Sequence, residues 1–177
     1  MDPRTLAVQV LKRVDDGAPV GATLEAALAE APLDPRDRGL ASELIEGTLR
    51  WQGRLDYLLQ QVTDKPLAKL DVPVRIILRL GAYQLTLLER IPAHAAVDSA
   101  VHLARRFVHE GAAKFVNAVL RRLEREGRTL PFPDRVEDPV GYLATVYSHP
   151  AWLVARWLQR YGLEDTEALL AQDNTPP

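Results

Sequence analysis

VPVRIILRLGAYQLTLLE, residues 72–89, decides the fold. Asp71-Val72-Pro73 opens it as a helix start, with proline tolerated in the first turn. Ile76, Ile77, Leu78, Leu80, Leu85, Leu87 and Leu88 then cover most of the circumference. Only Arg75, Arg79 and Thr86 form a narrow polar stripe. A helix apolar on nearly every side belongs in the middle of a bundle. Gly81 inside it costs about 1 kcal/mol against alanine, a cost that close approach of a neighbouring helix can offset.

Outward from this segment the helix signals continue on both sides. Asp2 caps and Pro3 suits the first position of a helix carrying Leu6, Val10 and Val14, which Gly17 ends. Residues 22–31 form a short Ala/Leu/Glu helix. Asp34-Pro35 starts another, with Leu40, Leu44, Ile45, Leu49 and Trp51, and Gly53 is expected to kink or break it before 55–62. Beyond Pro92, helices are predicted to about Val108 and over 111–126. Residues 128–138, RTLPFPDRVED, are Pro-rich and charged and read as a linker. Short helices follow at about 139–146, 150–161 and 164–172. No segment alternates as a strand does, so the fold class is all-α.

Hydrophobic residues make up 47% of the 177, enough for a real core. The net charge of -2 does not by itself suggest nucleic acid. The charge is uneven, however. Residues 1–133 hold 19 Lys and Arg against 17 Asp and Glu, and the remainder holds 3 against 7. Any polyanion-binding surface is therefore expected in the first part. With no cysteine, the chain offers neither a thiolate ligand nor a cysteine nucleophile, which fits a cytoplasmic setting. No apolar run is long enough to span a membrane.

GAAKFVNAVLRRLEREGR, residues 111–128, is the stretch most able to carry a function. At about 100° per residue, Ala112, Phe115, Val116, Val119, Leu120 and Leu123 share one face. Lys114, Arg121, Arg125 and Arg128 fall opposite, and the preceding helix adds Arg105 and Arg106. Such a row can track a phosphate backbone. It can equally be the solvated face of an amphipathic helix whose late arginines complement the dipole. Asn117 lies between the two faces and is expected to bond nearby backbone or pack at a helix crossing rather than touch a base. Arg50-Trp51-Gln52-Gly53-Arg54 mixes cations with an indole, as single-strand binders do, but burial of Trp51 is the expected outcome. His94, His102, His109 and His149 do not have metal-site spacing. No phosphate loop or catalytic motif occurs.

IPAHAAVDSAVHLARRFVHEGAAKFVNAVLRRL, residues 91–123, resembles the signature region of the NusB-like RNA-binding domain. The shared pattern runs Ile-Pro, an apolar Asn/Asp-x-Ala-Val helix, Leu-Ala-Lys/Arg, then Lys-Phe-Val-Asn-x-Val-Leu, with Asp98 where the free NusB factor often has Asn. RTLAVQVLKRV (4–14) and RIILRLGAYQLTLLERIP (75–92) are similar as well. DPRDRGLASELIEGTLRWQGRLDYLL (34–59) and YSHPAWLVARWLQRYGLEDTEALLAQDNTPP (147–177) resemble the Sun/RsmB branch, the small-subunit rRNA cytosine-C5 methyltransferases.

The resemblance implies a NusB-like helical bundle of two packed subdomains over 1–127, a linker at 128–138, and a helical connector at 139–177 leading towards a methyltransferase domain. It implies an RNA-binding surface of Arg4, Lys12, Arg13, Arg105, Arg106, Lys114, Arg121, Arg125 and Arg128. The expected partners are 16S rRNA and the downstream methyltransferase domain, with a ribosomal protein as a further candidate. S-adenosylmethionine is expected for the full-length enzyme and not for this chain, whose lack of cysteine also leaves cytosine-C5 chemistry elsewhere. A free antitermination factor and a protein–protein adaptor remain the rivals.

Overall fold

The computed structural model describes residues 1–177 and is helical throughout, with no strand. Seven helices share one core: α1 (Pro3–Asp15), α2 (Val20–Glu30), α3 (Pro35–Arg50), α4 (Gln52–Val62), α5 (Val72–Leu87), α6 (Ala93–Phe107) and α7 (Glu110–Glu126). Two more, α8 (Pro139–Val146) and α9 (Ala151–Asp173), form an extension.

α5 is the central element, touching α1, α3, α4, α6 and α7. Its Ile77, Leu78 and Ala82 are fully buried. Gly81 sits where α7 comes closest: an added β-carbon would lie 2.5 Å from Leu120 Cδ1 and 3.4 Å from the Ala100 Cβ of α6. The polar stripe is tied down rather than solvated. Arg79 grips Asp56 of α4 through Nε at 2.7 Å and Nη2 at 2.8 Å, and Arg75 reaches Asp15 of α1 at 3.5 Å.

The helix starts follow their caps. The Asp2 carboxylate accepts from the backbone of Arg4 and Thr5, and Asp34 from that of Asp37. The break between α3 and α4 falls at Trp51, not at Gly53. Gly53 instead anchors the extension, since its N–H donates at 2.9 Å to Ser148 Oγ, which reaches in from the end of α8. Trp51 is half-buried against the main core, in line with its expected burial.

Residues 128–138 carry no helix, but they do not stand clear of the bundle. Leu130 and Phe132 pack on the main core, and Phe132 stacks on Tyr57 at 5.8 Å while the Arg54 guanidinium lies 4.9 Å from the Phe132 ring centre. α8 and α9 close over a small cluster of Leu143, Val154 and Leu170. α9 is interrupted at Gly162, whose φ of 78° lies in the left-handed region that glycine adopts without strain.

Candidate nucleic-acid interface

The outer face of α7 is built as the spacing predicts. Ala112, Val116, Val119, Leu120 and Leu123 are buried, and Lys114 and Arg125 are exposed on the opposite side. The row is not purely cationic, though, and this corrects the sequence expectation. Arg121 donates to Glu124 at 3.0 Å and lies 3.7 Å from Asp98 of α6. Arg125 lies 3.6 Å from Glu126, which also holds Arg122 at 3.0 Å. The middle of the ridge is thus a strip of mixed charge. Exposed pairs of this kind are each worth about 0–1 kcal/mol and can be exchanged for a phosphate, but they remove the bare positive field.

The nine candidate cations separate into groups. Arg105 is clasped by Glu110 at 2.6 and 3.2 Å across the α6–α7 corner. The hydrogen bonds from Arg105 hold the Glu110 carboxyl below the ordinary carboxylate range, with the nearby Lys114 adding to the effect. Arg128 lies on the rim of a groove of about 800 Å³ with Arg54, Leu88, Glu124 and Phe132. Lys12 and Arg13 occupy the last turn of α1, where they suit the helix dipole. Arg13 borders a hollow shared with Glu30 and Ala31, on the α2 side of α1. It does not join the others.

Arg106 reaches the residue next to Arg4. Arg106 Nη1 donates to Thr5 Oγ1 at 3.3 Å, and Thr5 Oγ1 in turn donates to Asp2 Oδ2 at 2.5 Å. Arg4 Nε donates at 2.8 Å to Gln84 Oε1, and Gln84 Nε2 donates to Leu80 O at 3.0 Å. Neither arginine has a carboxylate within 4.0 Å. Burial opposes ionisation of Asp2, but the hydrogen bonds from Thr5 and Arg4 outweigh it and hold the carboxyl below its usual range. The start of α1 and the end of α6 thus present two guanidinium groups braced by neutral partners. Arg105, next to Arg106 in sequence, is instead paired with Glu110.

Sequence reasoning missed Gln84. Its signal was a lone amide in a helix otherwise apolar on that side, and it is 1% exposed. Asn117 also differs from expectation. It is exposed, and its side chain makes no hydrogen bond.

Comparisons with known proteins bear on the family and the fold. The sequence pattern of the NusB family matches residues 1–125. "Probable ribosomal RNA small subunit methyltransferase B" of Bacillus subtilis (strain 168) is 40% identical over 175 residues, 98% of this chain and 38% of that protein. "Ribosomal RNA small subunit methyltransferase B" of Pseudomonas putida is 40% identical over 178 residues, 100% of this chain and 39% of that protein. The chain therefore spans about two-fifths of the length of these relatives. Among solved structures, a chain from "Crystal Structure of a Plectonemic RNA Supercoil" superposes with a TM-score of 0.64 at 25% identity, over 74% of this chain and all of that one. A chain from "Crystal Structure of PH0851" reaches 0.75 at 15% identity, over all of this chain and 40% of that one, and shows likeness of fold.

Proposed function

Because the chain belongs to the NusB family, we propose that it is the RNA-recognition part of a small-subunit rRNA methyltransferase, holding 16S rRNA so that a cytosine reaches a catalytic part elsewhere in the protein. The observation that supports this most directly is the Arg4–Arg106 corner, where two exposed or half-exposed guanidinium groups lack acidic partners and are fixed by Gln84 and Thr5. Guanidinium forks match phosphate oxygens in geometry and charge. The match to methyltransferases of similar sequence favours this over a free antitermination factor.

The contribution to catalysis is positioning: fixing the substrate makes the later encounter effectively unimolecular. S-adenosylmethionine is the methyl donor this reading assigns to the whole enzyme. The residues present do not fit it, since the chain has no strand leading through a Gly-rich turn into a helix. No step through that cofactor involves these residues.

The test is binding of the 177-residue chain to small-subunit rRNA fragments across a NaCl series. With about five phosphates on partly single-stranded RNA, log K falls against log salt with a slope of about -3 to -4. A flat response rejects the proposal. Replacing Arg4 and Arg106 together by alanine lowers the slope by about 1.4, whereas Arg13→Ala leaves it unchanged.

The mixed strip of Asp98, Arg121 and Glu124 supports a second role, docking of another protein surface. Charge reversal at Arg121 and Arg125 separates the two: lost docking with unchanged RNA affinity assigns that ridge to protein.

A further inference from the structure

α9 changes character at Gly162. Residues 151–161, AWLVARWLQRY, contain Arg156 and Arg160 and no acid, whereas 163–173 contain Glu164, Asp165, Glu167 and Asp173 and no base. The first half buries Val154 and packs Trp157 and Leu158 on the cluster under α8. Trp152, Arg156 and Arg160, four residues apart, fall on the side away from that cluster. All three are exposed, Trp152 by 68%. Neither arginine has a carboxylate within 4.0 Å, in contrast to Arg135 of the segment before α8, which Glu167 holds at 2.5 Å. Arg160 lies 5.4 Å from the ring centre of Tyr161.

We infer that the Trp152–Arg156–Arg160 ridge is a second contact for single-stranded RNA, with a base stacked on the Trp152 indole and neighbouring phosphates on the two guanidinium groups. The inference rests on the RNA-binding reading of the chain. Its physical ground is charge and shape together. One exposed indole is unremarkable on a protein surface, but an indole leading two unpaired cations, spaced about 6 Å apart along the axis, makes the aromatic and cationic pairing that unpaired nucleic acid needs. The acidic second half supplies direction. Glu164 and Asp165 follow directly after the Gly162 bend, so a polyanion lying on Arg156 and Arg160 is repelled beyond Tyr161. A protein partner covering the same ridge is the competing occupant, and RNA titration of ridge variants decides between them.

The experiment uses the 177-residue chain and fluorescein-labelled single-stranded 12-nucleotide RNA of mixed sequence, read by anisotropy across a NaCl series. Trp152→Ala is expected to weaken binding at least about fivefold, the scale of one lost base–aromatic stack, and Trp152→Phe to lose less. Arg156→Ala with Arg160→Ala is expected to lower the salt slope by about 1.4. Bound RNA is expected to quench tryptophan emission in the unmodified chain and less in Trp152→Phe. All these side chains are exposed, so the melting temperature serves as the check that each variant folds. Unchanged affinity, slope and quenching in these variants overturn the inference. If the Arg4 and Arg106 variant still weakens binding in the same assay, the RNA-binding reading survives that failure. If the unmodified chain binds no RNA, both fail together.

Discussion

Two glycines of α3 show how much a single hydrogen-for-methyl exchange depends on its surroundings. Gly47 is buried under Tyr83, and a β-carbon there would run into the phenol ring. Gly39 has nothing within 4 Å of such an atom. Alanine gains about 1 kcal/mol of helix propensity at either site. At Gly47 the clash with a stiff, buried ring is the larger effect, and Gly47→Ala is expected to destabilise the chain by about 1–3 kcal/mol. Gly39→Ala is expected to stabilise it by about 0.5–1 kcal/mol. Urea denaturation of both variants checks the pair, and equal shifts would contradict the packing argument. The role of Gly81 was open to sequence reasoning, because a glycine in an apolar helix needs a reason and close packing is the commonest. The pairing of Arg121 was only half legible. Glu124 three residues on is a local pattern, whereas Asp98 arrives from another helix and depends on how α6 and α7 lie together. Gln84 bracing Arg4 spans 80 residues and had no local trace beyond its odd polarity.

Among the elements, the attachment of α8 and α9 rests on a few polar contacts. Ser148, with φ at 56°, places its hydroxyl on the first-turn N–H groups of α4, and Arg54 donates to Val146 O at 3.0 Å. Ser148→Ala removes a cap worth about 1 kcal/mol, so hydrogen exchange at the Gly53 amide should quicken while α5 stays protected. A second tie joins Arg135, Glu167 and Tyr147. The Arg135 hydrogen bond, aided by that from Tyr147, holds the Glu167 carboxyl below its ordinary range against the opposing effect of burial. A depressed folded-state pKa means that this tie is fully present above the unfolded-state value of about 4.3. It is lost as pH falls through the lower folded-state value. Tryptophan emission from the extension in Glu167→Gln should therefore vary less between pH 5 and pH 3 than in the unmodified chain. The helices themselves were readable because Pro and Asp mark their starts. The packing of Phe132 was not, since a Pro-rich stretch looks the same whether it hangs free or lies on a core.

At the level of the whole molecule, a chain of net charge -2 must bind a polyanion through distribution rather than total. The Arg4–Arg106 corner and the ridge on α9 lack acidic partners, whereas the α7 strip holds its own counter-charges. Asp98→Asn, which releases one partner of Arg121, is expected to raise RNA affinity about twofold to fivefold at low salt, with the gain vanishing as screening sets in near 1 M. No gain at any salt would place RNA away from that strip. The all-helical architecture and its central helix were legible throughout, because an apolar circumference leaves one location for α5. The arrangement of the basic groups was less so, since helical spacing orders residues along one element and says little about which elements lie side by side.

The hydroxyl that Ser148 lends to the start of α4 joins positions 95 apart in sequence. A pull on α9 is thereby transmitted through residues 148–150 to the opening turn of a helix that belongs to the main bundle. Mechanical load on the carboxy-terminal arm should first be felt as fraying at Gly53 and Arg54, which makes those two amides a built-in strain gauge for whatever the arm is holding.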